Sequence, residues 1–201
     1  MSLRRRLLWG FLGGVLLGIA LAALWQLLNR PAPPPVLGQV PDFALTNRDG
    51  RTVRRADLAG APWVADFIFT RCGASCPMMS MRMARLESDL PDDLGVRLVS
   101  FTVDPEYDTP QVLRRYAESF GAPGRWLFLT GTREELHRLS IEGFKLAVDD
   151  SPAVAASAEE PILHSTRFVL VDGEGRIRGY YEAFDEESVE RLERDLKALA
   201  R

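Results

Sequence analysis

Cys72 and Cys76 are the only cysteines among 201 residues, and they stand together in Phe69-Thr70-Arg71-Cys72-Gly73-Ala74-Ser75-Cys76-Pro77. Two thiols so close can exchange with a disulfide or clasp one soft metal ion. A purely structural disulfide is the weaker reading, because a three-residue gap closes too small a loop to constrain the unfolded chain much. Pro77 suits the first turn of a helix, which places Cys76 at or beside a helix N-terminus, where a thiolate is favoured. Two thiolates do not complete a metal site. The chain has two histidines, and His137 lies in the charged stretch Glu134-Glu135-Leu136-His137-Arg138, a solvated setting. His164, in Pro161-Ile162-Leu163-His164-Ser165-Thr166, is the better third ligand. Two sulfurs and one imidazole suit copper, as Cu(I) or Cu(II), whereas zinc wants a fourth ligand.

Asp66 interrupts the apolar run Trp63–Phe69, six residues before Cys72. Buried there, its carboxyl has a raised pKa and can move protons to or from a thiol; on an open face it is only a polar residue. Met78, Met79, Met81 and Met83 follow Cys76 directly. Thioethers are soft copper ligands and also core fillers. Helical spacing sends Met79 and Met83 to the core, and leaves Met78 and Met81 as candidates for transient copper contact.

The flanking elements that hold these residues are readable from periodicity. Asp42–Thr46 and Thr52–Arg54 flank Asn47-Arg48-Asp49-Gly50, a hairpin signal. Trp63–Phe69 and Val96–Val103 read as buried strands, and Trp126–Leu129 as a short one. Pro77–Leu90, Thr109–Phe120 and Thr132–Leu139 read as helices, with Thr109 and Thr132 as N-caps. Arg167–Val171 and Ile177–Tyr181 form a second hairpin, and Asp185–Ala200 a closing helix. Strands alternating with helices, ended by a hairpin, predict α/β layers around a mixed sheet. Asp149–Leu163 is small, acidic and proline-containing, and reads as a long mobile loop.

Residues 1–36 hold four of the 25 basic side chains and no acid, leaving 21 against 28 acids, or −7, for the rest. An acidic body argues against nucleic acid as the partner. Residues 7–28 carry no formal charge and reach about 33 Å as a helix, enough for a hydrocarbon core. Arg4, Arg5 and Arg6 before this run put residues 1–6 in the cytoplasm and the body beyond the membrane. A cleaved signal peptide is the competing reading, though the run outlasts a usual signal core. Residues 29–36, with four prolines, read as a semi-rigid spacer, and the globular domain as 37–201. The expected location is a bacterial inner membrane, crossed once, with the domain in the periplasm.

The stretches FTRCGASCP at Phe69–Pro77, FTVDPEYDTP at Phe101–Pro110 and HSTRFVLVDGEGRIRGYY at His164–Tyr181 resemble the Sco/SenC family of copper-binding proteins. The resemblance implies a thioredoxin-like fold and one copper ion held by Cys72, Cys76 and His164. It implies a chaperone that assists assembly of the binuclear copper site of cytochrome c oxidase, with the copper-receiving oxidase subunit as partner. Other copper chaperones or thioredoxin-like reductants are further partners. Asp104 falls on the family's VDP acid, near the copper loop. Leu163 stands where many members carry an acid, and Gly73-Ala74-Ser75 where many have Pro-Asp between the cysteines. The alternative is a thiol–disulfide oxidoreductase without stored metal, with loop-exposed Cys72 as nucleophile, Cys76 resolving and Asp66 moving protons. A peroxidase, with Thr70 and Arg71 beside the thiol, is a third reading.

Overall fold

The computed structural model describes residues 3–28, 32–91, 94–122, 124–146, 148–149 and 163–200. The chain forms two compact units, Met1–Ala32 and Pro33–Arg201. The first contains one helix, α1 (Leu3–Leu28). Among the described residues no helix is long and apolar enough to cross a membrane.

In the second unit the strands are β1 (Gly38–Gln39), β2 (Ala44–Asn47), β3 (Thr52–Arg54), β4 (Trp63–Ile68), β5 (Arg97–Thr102) and β6 (Trp126–Thr130). They continue as β7 (Val148–Asp149), β8 (Leu163–His164), β9 (Arg167–Val171) and β10 (Arg176–Glu182). The helices are α2 (Ser75–Asp89), α3 (Pro110–Ser119), α4 (Arg133–Arg138) and α5 (Glu186–Leu199). Eight strands form one sheet in the order β1-β10-β9-β4-β5-β6-β2-β3, and β7 pairs with β8 apart from it. The central β4, β5 and β6 are parallel, while β9, β10 and β1 on one side and β2 and β3 on the other each pair antiparallel with their neighbours. This is the mixed sheet the alternation implies. Of the segment 149–163, only the backbone at its two ends is among the described residues.

All six residues of β4 are buried, which requires cover on both faces. With side chains alternating along the strand, Trp63 and Phe67 point to one face. There they join Phe43, Phe101 and Phe144, with neighbouring ring centroids 5.2–6.5 Å apart. Val64, Asp66 and Ile68 point to the other face. Met79, Met83 and Leu86 of α2 and Leu113 and Ala117 of α3 are buried as well, and the Ser80 and Tyr116 hydroxyls link the two helices at 2.9 Å.

The caps form as the sequence dictates. Thr109 accepts from the Val112 N–H, and Thr132 and Glu135 make a reciprocal capping box. In the β2–β3 turn Asn47 Oδ1 accepts from the N–H groups of Asp49 and Arg51, each at 2.9 Å, and Gly50 takes the left-handed φ of +78° that closes it. The compact body begins four residues before Leu37: Pro34 is buried, and its carbonyl accepts from Arg178 Nε at 2.8 Å. Arg178 also pairs with Asp172 at 2.8 Å, so the end of the proline segment is bonded to the sheet.

Candidate metal centre

The cysteine loop leaves the C-terminal end of β4 and enters α2. Ala74 is the N-cap, with no oxygen to offer the first helical N–H groups. Sulfur does that work instead: the Cys76 N–H donates to Cys72 Sγ at 3.3 Å. The Phe69 N–H donates to Cys76 Sγ at 3.4 Å, and Ser75 Oγ lies 3.3 Å from Cys72 Sγ. Each sulfur thus accepts a backbone N–H, as an electron-rich ligand atom would. Both cysteines are free thiols.

Two expectations are corrected here. Cys72 is not loop-exposed: it is 5% accessible, because the loop folds back with its own N–H bonded to the Phe69 carbonyl. Nor does the helix N-terminus dominate at Cys76. Burial pushes that thiol well above 9.0, the contact with Cys72 adds to the rise, and the Phe69 N–H opposes it only in part. Desolvation of the charged form outweighs a helix-end field worth about 1 kcal/mol.

Asp66 is fully buried, not on an open face. Its charge contributes to the upward shift of Cys76, which places it within electrostatic reach of that thiol. The sheet also determines where the approach from His164 lies. Since β9 runs antiparallel to β4, with Ala65 opposite Val169, the start of β9 lies at the end of β4 from which the cysteine loop departs. His164 is three residues before β9, its backbone paired with Val148. The imidazole lies outside the described side chains, and among the described residues no three His, Cys, Asp or Glu side chains converge on a metal position. His137 is exposed on α4.

Sequence reasoning missed what anchors the loop. Asp108, fully buried, accepts from the Thr70 N–H at 3.1 Å, from the Thr70 hydroxyl, and from Thr102 Oγ1 at 2.5 Å. Burial raises its pKa above 3.8, and the bonds from Thr102 and Thr70 oppose that. Asp104 takes Arg71 Nε at 2.9 Å and Nη2 at 2.6 Å, and the Arg71 guanidinium lies over the Tyr107 ring, 4.6 Å from its centroid. The Asp104–Asp108 turn therefore grips the two residues before Cys72. Thr70 and Arg71 are spent on these acids, which removes the geometric basis for the peroxidase reading. The signal in the sequence was two acids four apart directly after an apolar strand.

The class this defines is a thioredoxin-like domain with a reduced dithiol where a central strand meets a helix. The SCO1/SenC family profile matches residues 35–201, and the chain belongs to that family. It is 30% identical over 190 residues to the SCO1 protein homolog of Bacillus subtilis, covering 93% of this chain and 96% of that one. It is 32% identical over 146 residues to a Stutzerimonas stutzeri protein provisionally named as copper-binding, covering 72% and 69%. Among solved structures, BsSco, described as having a disulfide switch and as one of the Sco family of cytochrome c oxidase assembly proteins, superposes with a TM-score of 0.72. That match has 30% identity and covers 85% of this chain and 98% of BsSco.

Proposed function

We propose that this protein is a membrane-anchored copper chaperone that binds one copper ion through Cys72, Cys76 and His164. It delivers the ion to the subunit of cytochrome c oxidase that receives the binuclear copper site. The observation that carries this reading is the pair of free thiols whose sulfurs both accept backbone N–H groups at the start of α2. Soft sulfur donors so placed suit Cu(I) or Cu(II). Family membership, the copper-binding name of the Stutzerimonas relative and the oxidase-assembly description of BsSco support it. The uncharged run over residues 7–28 is the anchor, and Arg4, Arg5 and Arg6 keep residues 1–6 in the cytoplasm, so that the domain works in the periplasm of a bacterial inner membrane. Residues 29–36 join the two. Copper donors and thioredoxin-like reductants are its other partners.

Anaerobic copper titration of the reduced full-length protein, read by absorption and by mass, tests the ligand set. One equivalent binds the wild-type protein. His164→Ala weakens binding at least about tenfold and alters the sulfur-to-copper charge-transfer band. An unchanged affinity and spectrum in that variant would remove His164 from the site.

A second reading has its own observation: buried Asp66 acts electrostatically on Cys76, as a proton-handling acid beside a dithiol does. Here the protein reduces a partner disulfide. Cys72 attacks the partner disulfide and releases one partner thiol, Cys76 then attacks the mixed disulfide and releases the second, and a Cys72–Cys76 disulfide remains while two electrons and two protons leave with the reduced partner. The two readings are compatible, because an oxidised pair cannot bind copper as two thiolates do. Reduced protein that takes up no copper yet exchanges with a disulfide would leave only the second.

A further inference from the structure

Four methionines follow Cys76 within seven residues, and the fold uses only two of them. Met79 and Met83 are fully buried against the sheet, while Met78 is 46% and Met81 57% exposed. Met78 and Met81 are one helical turn apart, at a spacing that puts their Cβ atoms about 5–6 Å from each other. Long helical side chains lean toward the N-terminus of their helix. Met81 therefore leans toward Met78, and Met78 toward Ser75, whose hydroxyl is 3.3 Å from Cys72 Sγ. Beyond Met78 on the same face, Arg82 is ion-paired to Glu186 at the start of α5, which closes that side. No carboxylate lies between Ser75 and Arg82. The result is a short strip of neutral thioethers on the surface, ending at the sulfur of the buried dithiol.

The geometry points to Met78 and Met81 as a surface capture site for Cu(I), from which the ion passes along Ser75 to Cys72 and Cys76; this rests on the copper-chaperone reading. Thioethers are soft and uncharged, so they select Cu(I) over harder cations and release no proton on binding it. The transfer is a ligand exchange without electron flow. Two Cu–S(thioether) bonds break, two Cu–S(thiolate) bonds form, and the two thiol protons pass to water.

The test uses full-length protein in which the methionine methyls carry carbon-13, titrated anaerobically with Cu(I). In a Cys72→Ser/Cys76→Ser background, Cu(I) is expected to shift the methyl resonances of Met78 and Met81 and leave those of buried Met79 and Met83 in place. Met78→Leu/Met81→Leu in that background abolishes binding. With the cysteines present, the same leucine pair slows loading from micromolar Cu(I) by about tenfold, through loss of the locally raised ligand concentration. Copper that reaches the cysteines with the methyls of Met78 and Met81 unmoved and the loading rate unchanged overturns the capture site while keeping the chaperone. Absence of copper from the wild-type protein overturns both. Leucine keeps the size and helix propensity of methionine, and an unchanged circular dichroism spectrum confirms that folding is intact.

Discussion

Replacing Asp108 by alanine should loosen the loop that carries Cys72. The Thr70 N–H and the Thr102 hydroxyl both donate to the same carboxylate oxygen, Oδ2, and the Thr70 hydroxyl donates to the other. Thr102 Oγ1 in turn accepts from the Asp104 N–H at 3.0 Å, so the two acids share one network. Alanine strands the Thr102 hydroxyl, which is fully buried, and the Thr70 N–H, which water can partly reach. A stranded buried donor costs about 1–3 kcal/mol. One full and one partial loss, with the small void left behind, give about 3 kcal/mol. For a body of this size that corresponds to about 6–12 °C in Tm. Asparagine behaves differently. Its carbonyl can stand at Oδ2 and keep both donors, and its amide can donate to the Thr70 hydroxyl with that hydroxyl reversed, so its cost is below about 1 kcal/mol. The assay pairs thermal unfolding with the labelling rate of Cys72 in the folded protein. Alanine should melt well below asparagine and label faster. Equal melting temperatures for the two variants, or unchanged labelling in the alanine variant, would refute the clasp. The pH dependence has a fixed sign. Burial raises the pKa of folded Asp108 above 3.8, so its contribution to stability is fully present below that pH and is lost as pH rises through the raised value. Asparagine does not titrate there. The wild-type protein must therefore lose stability relative to Asp108→Asn as pH rises, and a gap that is flat or moves the other way would contradict this.

Asp66→Asn removes a negative charge that helps raise the Cys76 thiol, so the pH profile of Cys76 alkylation in the reduced protein should move to lower pH; an unmoved profile would mean that burial and the Cys72 contact account for the whole shift. Gly173→Ala should destabilise the body by about 1–3 kcal/mol, read by denaturant unfolding. A Cβ there would meet the Gly60 carbonyl carbon and the Ala61 nitrogen at 3.0 Å, both backbone atoms with little room to move. A midpoint equal to the wild type would show that the Gly60–Ala61 turn gives way.

Much of the fold could be read locally because its signals are local. Thr109, Thr132 and Asn47 cap or close an element within four residues of themselves, so spacing alone located them. The mostly apolar run of β4 reported burial on both faces, and Asp66 within it stood out as the residue needing a purpose. Burial itself was not legible at Cys72. Whether a loop between a strand and a helix is open depends on contacts from elsewhere, and here they come from the Asp104–Asp108 turn, more than thirty residues on.

That turn shows how this site is organised. A six-residue loop that carries Cys72 into the helix bearing Cys76 has too few contacts of its own to hold two sulfurs in place, and Ala74 supplies no cap. The missing constraint comes from two buried acids that differ in the groups they hold. Asp108 is fully buried and accepts donors from backbone and side chains, so it fixes the Thr70 end of the loop. Asp104, itself nearly buried, holds Arg71, whose side chain is 48% exposed, so water screens the guanidinium side of the pair. Asp108 therefore fixes the loop backbone, and Asp104 a side chain. Asp104 also keeps a half-exposed guanidinium stacked on Tyr107 at the surface. An Arg71→Gln exchange belongs with changes to that surface, while Asp108→Ala alters the position of the sulfurs themselves.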